Sequence, residues 1–84
     1  MITIQHHHIN SCHSLQINFA EKDEVLNGLL IFYNGQGDEI KRLTLQGNNH
    51  IIDLSFYNQP LLYVKIETRH STVMKRLLLN DTVN

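Results

Sequence analysis

The sequence predicts an all-β protein, an antiparallel immunoglobulin-like β-sandwich of about six to seven short strands. Apolar and polar residues alternate along several runs, and these runs are rich in β-branched and aromatic residues. Segments that contain Gly, Asn or Pro interrupt the runs at intervals of roughly 8–12 residues, a spacing typical of sandwiches. The length of 84 residues, with no linker or internal repeat in the sequence, indicates a single domain spanning residues 1–84.

The first predicted strands lie in the N-terminal half of the chain. Residues 15–19 alternate between apolar and polar side chains, which predicts a strand with one buried face. Residues 29–34 form a nearly continuous apolar run, which is typical of a central strand covered on both faces. Residues 34–37 contain two glycines, expected to supply positive φ, and an asparagine that tolerates it, which predicts a tight hairpin leading into a strand at residues 40–46.

The C-terminal half repeats this pattern, most clearly in residues 62–67, where apolar and polar side chains alternate without a break. Strands are predicted at residues 50–54, 62–67 and 73–79, with turns or breaks at 47–49, 58–60 and 68–72. A His-rich segment, residues 1–14, precedes the first predicted strand, and residues 80–84 form a C-terminal tail that is expected to fray.

One segment also fits a helix. Val25, Leu26 and Leu29 have helical spacing within residues 21–30. Gly28 and the short length of the segment favour the all-β interpretation.

The alternation also predicts which side chains fill the core. Residues on the apolar face of each predicted strand should be buried between the two sheets. This core set comprises Ile17, Ile31, Leu45, Leu54, Val64, Ile66 and Leu77.

Composition narrows the range of functions. Seven Lys and Arg against eight Asp and Glu give a formal charge of −1, which disfavours nucleic acid and anionic lipid as partners. No apolar run approaches the ~18–20 residues of a membrane-spanning helix, so no membrane insertion is expected. The N-terminus lacks the basic and apolar regions of a secretory signal. The one cysteine, Cys12, cannot form a disulfide within the chain.

Four short motifs follow one another in a distinctive order. They are LLIFYNGQG at residues 29–37, IDLS at 52–55, YVKI at 63–66 and KRLLL at 75–79. In this order they resemble the C-terminal sorting domain, type A-like, of cargo proteins of the type IX secretion system. Two departures are the His-rich N-terminal strand and Leu61, which stands where the family has glycine. Within these motifs, the residues to which the resemblance assigns a structural role are Asn34, Gly35, Gly37, Asp53, Leu54, Ser55 and Tyr63.

The resemblance implies a non-catalytic domain with no cofactor, located at the end of a larger cargo protein. An outer-membrane translocon would recognise it, and a sortase-like peptidase would commonly remove it afterwards. The cargo would pass through the periplasm, which it enters by its own N-terminal signal, and finish at the cell surface or in the medium. From the residues alone, the alternative is a stand-alone immunoglobulin-like adhesion or carbohydrate-binding module.

A cationic element lies on the last two predicted strands. Lys65 is expected to share a face with Lys75, with Glu67 between them, and Arg76 and Leu77 follow in the sequence. Such charges are often merely solvated, or they protect an edge strand from pairing with other chains. The resemblance implies a third role, recognition of the terminal strand pair through Lys65, Lys75, Arg76 and Leu77.

The histidines and tyrosines are further candidates. On a strand, His6 and His8 would share a face, and with His13 or Cys12 they could supply ligands to zinc or copper. An exposed polar strand or an added histidine tag explains the same residues, so no physiological metal site is expected. Tyr33, Tyr57 and Tyr63 could form a carbohydrate platform, although such rings more often cover a sandwich edge.

Overall fold

The computed structural model describes residues 2–19, 28–69 and 71–79. Within these ranges the chain forms seven β-strands, and no helix there could span a membrane. The strands are β1 (Ile2–Ile9), β2 (Cys12–Phe19), β3 (Gly28–Tyr33), β4 (Glu39–Leu45), β5 (Asn49–Asp53), β6 (Leu61–Thr68) and β7 (Thr72–Leu78). Residues 21–27 of the helical alternative and the tail at residues 80–84 lie outside the described residues, whereas residues 28–30 belong to β3.

The strands form two antiparallel sheets, which confirms the predicted immunoglobulin-like sandwich. One sheet has the order β1-β2-β5, and the other has the order β4-β3-β6-β7. In the seven-stranded immunoglobulin constant-type arrangement the fourth strand pairs with the fifth. Here β4 pairs with β3 instead, which gives three strands facing four. The terminal strands β1 and β7 each lie at one end of their sheet in this order.

The first strand was not part of the predicted sandwich, which began at residue 15. In the structure, β1 pairs along its full length with β2, from Ile2 opposite Phe19 to Ile9 opposite Cys12. Asn10 and Ser11 form the two-residue turn and both have positive φ, as a type I′ hairpin turn requires. The His-rich segment is therefore a structural strand of the sandwich.

The predicted core is confirmed, since all seven residues are buried. Six of them belong to one cluster between the sheets, in which β6 contributes Leu62, Val64 and Ile66 with no exposed surface. Ile31 is the exception, because it alternates with the core residues Leu30 and Phe32 and so faces the other side of its sheet.

The β3–β4 hairpin is closed by the side chain of Asn34. Its Oδ1 accepts hydrogen bonds from the backbone N–H groups of Gln36 (3.0 Å) and Asp38 (2.9 Å). Gly37 has a φ of 90°, a conformation that side chains with a Cβ rarely adopt. Gly35 does not have a positive φ, so the expectation that both glycines supply one is correct only for Gly37.

The two glycines give a matched test of this turn. Gly37→Ala is expected to lower the free energy of unfolding by about 1–2 kcal/mol, because alanine must adopt a left-handed conformation there. Gly35→Ala should change it by less than about 1 kcal/mol, because a Cβ at that position meets Leu61 at an ordinary contact distance of 3.7 Å. Urea denaturation of both variants measures the difference, and equal losses would contradict this account of the turn.

Candidate functional site

The outward side of the four-stranded sheet gathers aromatic, cationic and thioether side chains. Tyr33 lies directly opposite Tyr63, which in turn lies opposite Arg76 on β7. Lys65 lies opposite Met74 in the next row. Because directly opposed residues share a face and alternate residues along a strand do too, these five side chains occupy one surface. We call Tyr33, Tyr63, Lys65, Met74 and Arg76 the outer face.

The two cationic residues of the outer face, Lys65 and Arg76, differ in their ion pairing. Lys65 Nζ lies 3.0 Å from Glu67 Oε2 and 5.7 Å from the centre of the Tyr33 ring. The hydrogen bond to Glu67, followed by that to Tyr33, raises the pKa of Lys65 and favours its charged form. Arg76 is exposed and forms no ion pair with any residue that the structure describes. The outer face therefore offers an arginine for a contact with another molecule.

A second ion pair lies nearby on β4. Arg42 donates to Glu39 through Nε (2.8 Å) and Nη2 (2.7 Å). This bidentate contact lowers the pKa of the Glu39 carboxyl, mainly through the hydrogen bond. Both residues are exposed, so the pair contributes little to stability.

A shallow groove runs across the outer face. It has a volume of about 360 Å³ and is lined by Tyr33, Gly37, Tyr63, Lys65 and Met74. Met74 is 59% exposed, and Leu78, four residues further along the same strand, is 61% exposed. The groove thus combines two rings and a flexible thioether with a cation.

The cationic element of the last two strands divides between the two sides of the sheet. Lys65 and Arg76 lie on the outer face, whereas Lys75 lies opposite Val64 and shares the inward side of the sheet. The expectation that Lys65 and Lys75 share a face is wrong, because Met74 is the partner of Lys65 and neighbouring residues of a strand point to opposite sides. Glu67 does share the face of Lys65.

Leu77, the fourth recognition candidate, is 1% exposed and belongs to the core cluster. It cannot contact a partner directly in the folded domain. Its role is to anchor β7 against the other sheet.

The motif residues lie mainly at turns and in the core. Asn34 and Gly37 form the β3–β4 turn, as described above. Asp53 Oδ1 accepts a hydrogen bond from the backbone N–H of Ser55 (3.0 Å), and Leu54 between them is 1% exposed. These positions shape the sandwich, and Tyr63 among them also contributes its side chain to the outer face.

The three tyrosines do not form one platform. Tyr57 donates its hydroxyl to the backbone oxygen of Leu61 (2.6 Å) and packs against the core. Tyr33 and Tyr63 remain together on the outer face. The sequence pattern of a single strand predicts only that Tyr33 and Tyr63 each point away from the neighbouring core residues. The pairing register of the strands is needed to show that the two rings lie side by side.

The three candidate histidines do come together. His6 Nε2 and His13 Nδ1 are 2.8 Å apart, a hydrogen bond between two imidazoles. The ring of His8 stacks on that of His13 with 4.1 Å between centroids and 14° between planes. We call His6, His8 and His13 the histidine cluster.

This arrangement suits a shared proton better than a metal ion. Two nitrogens bound to one tetrahedral zinc at about 2.0–2.1 Å each would lie about 3.3 Å apart. The 2.8 Å between His6 and His13 is shorter, and the stacked ring of His8 is nearly parallel to that of His13, so their ring planes do not converge on one point. Among the described residues, no group of three or more His, Cys, Asp or Glu has a geometry suited to a metal ion.

The chain matches no protein-family model, and no curated protein or solved structure shows significant similarity to it.

Proposed function

We propose that the domain is a non-catalytic sorting signal that directs a larger cargo protein across the outer membrane, and that the translocon reads it through the outer face. The order of the four sequence motifs supports the type of function. The observation that carries the proposal is that Tyr63, Lys65 and Arg76, which belong to the last two motifs, lie together on one exposed surface.

The chemistry of this surface suits recognition of a folded domain. The strands beneath it are fixed by the core, so the backbone positions from which these side chains project are set before a partner binds. Arginine and tyrosine are the residue types that most often dominate protein interfaces. The complementary surface on the translocon would carry a carboxylate for Arg76 and apolar groups for Tyr63 and Met74. A sortase-like peptidase would then act on the cargo boundary rather than on the outer face.

The proposal is tested by attaching residues 1–84 to the C-terminus of a periplasm-directed reporter. In a host with a type IX system, the reporter is expected at the cell surface or in the medium, and an isogenic host without the translocon should retain it in the periplasm. Protease resistance of the periplasmic fusion checks that the domain is folded. A folded fusion that stays in the periplasm of the competent host would reject the sorting function.

One observation favours a second candidate, a carbohydrate-binding module. The rings of Tyr33 and Tyr63 flank the groove on the outer face, and tyrosine rings stack readily on sugars. Titration of the isolated domain with a panel of polysaccharides, followed by tyrosine fluorescence, distinguishes the two functions. Saturable binding that Tyr63→Ala removes, together with failure of export, would favour the carbohydrate module.

A further inference from the structure

The four-stranded sheet ends at β4 on one side and at β7 on the other. Among the described strands, neither has a neighbour beyond it in the order of the sheet. The outer side of an end strand presents backbone N–H and C=O groups that can pair with a strand of another molecule. A sandwich of this kind therefore associates edge to edge unless its end strands are protected.

One row of side chains crosses the inward side of this sheet and ends in a lysine at each edge. Directly opposed residues of paired strands share a face, so the row can be followed from strand to strand. It passes through two core residues with 0% exposed surface, and its members in order are Lys41, Phe32, Val64 and Lys75. Both lysines are exposed. We call Lys41 and Lys75 the edge lysines.

The neighbouring inward row is apolar from one edge of the sheet to the other. Its members are Leu43, Leu30, Ile66 and Val73. An apolar side chain thus fits at both ends of an inward row, where it extends the core. The fold therefore does not require a charge at these ends, and the edge lysines need another explanation.

Both edge lysines have their charge close to parts of the chain that lie outside their own sheet. Lys41 Nζ lies 5.2 Å from the centre of the Phe56 ring, in the segment after β5, and the ring centres of Phe56 and Phe32 are 5.2 Å apart. Lys75 lies near β1, since its charge is a further cause, after burial, that lowers the pKa of His6. Both charges are therefore on the side of the sheet that faces the other layer.

A strand added beside β4 or β7 would enclose the edge lysine. The side chain opposite the lysine would be about 4.5–5.5 Å away, measured between Cβ atoms. The ammonium would lose water without gaining a partner of opposite charge, which is unfavourable. If two copies paired antiparallel about this row, the two lysines would also face each other, and like charges directly opposite are destabilising.

We propose that Lys41 and Lys75 keep the protein monomeric by preventing a second copy of this chain from adding to either edge of the four-stranded sheet. A second copy is the partner excluded, because it brings the same two edges with the same two charges. The outward neighbours Arg42 and Arg76 do not have this role, since an outward side chain remains in water when a strand is added. The role is independent of the outer face and of the sorting function.

Methionine variants test the two edges separately, because methionine keeps an unbranched side chain and removes the charge. Lys41→Met and Lys75→Met each open one edge. Pairing of one edge with its own copy is closed by a two-fold axis, so each variant is expected to form a dimer of twice the parent mass. The double variant Lys41→Met/Lys75→Met opens both edges and should form longer assemblies, whereas the parent stays at 9.8 kDa.

Sedimentation velocity at micromolar to millimolar concentration measures these masses, since exposed edges associate in that range. A parent that is already dimeric would overturn the proposal. Single and double methionine variants that all remain monomeric would overturn it as well.

The matched control is Arg42→Met/Arg76→Met. It removes the same number of positive charges from the same two strands, but on the outward side, so it should stay monomeric. Lys41→Arg/Lys75→Arg keeps the inward charges and should also stay monomeric. Equal association of the two double methionine variants would overturn the proposal, because loss of net charge alone would then explain it.

Amide hydrogen exchange and circular dichroism distinguish edge pairing from misfolding. The associated variants should keep the β-sheet spectrum and the cooperative melting of the parent. Amides of the opened end strand should gain protection, about tenfold when about nine chains in ten are associated. Association without this added protection, or only after the β-sheet spectrum is lost, would contradict edge pairing and overturn the proposal.

Discussion

Val64→Asp is expected to abolish folding. Val64 is 0% exposed in the middle of β6, between Phe32 on β3 and Lys75 on β7. The change loses about 1.5–3 kcal/mol of apolar burial. It also leaves a charge in the core, which costs about 3–5 kcal/mol when no partner is present. A domain of this size has a total stability of about 5–8 kcal/mol, so circular dichroism should show an unfolded chain at neutral pH.

Lys75 makes this experiment informative, because it lies directly across from Val64 on the same side of the sheet. An ion pair between the introduced carboxylate and Lys75, at the edge of the core, would reduce the loss of stability caused by Val64→Asp. Ile66→Asp provides the comparison without this option, since Ile66 is equally buried and lies between Leu30 and Val73. It should unfold the protein at least as completely.

The exposed control is Ile51→Asp. Ile51 is 74% exposed on β5, so the same carboxylate there should change the free energy of unfolding by about 0.5 kcal/mol or less. If Val64→Asp instead unfolds cooperatively, with a free energy of unfolding within about 1 kcal/mol of the parent's, the change is no larger than that of an average substitution. The core would then not lie on the side of β6 that Val64 occupies.

The sequence alone was sufficient to predict those strands in which apolar and polar residues alternate without interruption. In β6, Leu62, Val64 and Ile66 alternate with polar or half-buried residues, and one buried face follows directly. The β3–β4 hairpin was predictable because Asn34 and Gly37 are residue types that its turn requires. Both inferences depend only on residues that are close together in the sequence, so they need no knowledge of how the strands pair.

The pairing of the His-rich N-terminal strand into the sandwich was not predicted, because histidine occupies positions that elsewhere hold apolar residues. Ile2 and Ile4 begin an inward row that His6 and His8 continue. A period-two pattern that counts only apolar residues ends after Ile4, whereas the strand continues to Ile9. Asn10 was the signal available in the sequence, since asparagine tolerates the positive φ of a hairpin turn without glycine.

The composition of the outer face could not be predicted from single strands. Alternation shows that Lys65 and Lys75 each lie on one of two sides, but the pairing register decides whether those sides coincide. The loop that sets this register joins Thr68 to Thr72 and contains no glycine or proline that would define its geometry. The face of Lys75 was therefore assigned wrongly, and of the three tyrosines grouped as one platform only Tyr33 and Tyr63 meet on the outer face.

Arg76→Gln is expected to stop export of the reporter fusion, while Lys75→Gln leaves export intact. The two residues are neighbours on β7, and each variant removes one positive charge. Arg76 lies on the outer face and Lys75 on the inward side, so only the first should disturb a partner bound to the outer face. Removing one partner of a desolvated interfacial charge pair costs about 2–5 kcal/mol, so export should fall more than about tenfold.

Stability separates recognition from folding in this comparison. Both residues are exposed, and both variants should unfold within about 0.5 kcal/mol of the parent in urea. The effect of Lys65→Gln on export would be harder to interpret, because this variant also removes the ion pair with Glu67. If Lys75→Gln blocks export while Arg76→Gln does not, the translocon reads the edge between β7 and the histidine cluster, and the outer face is not the recognition surface. If both variants are still exported, recognition does not depend on the positive charges of β7.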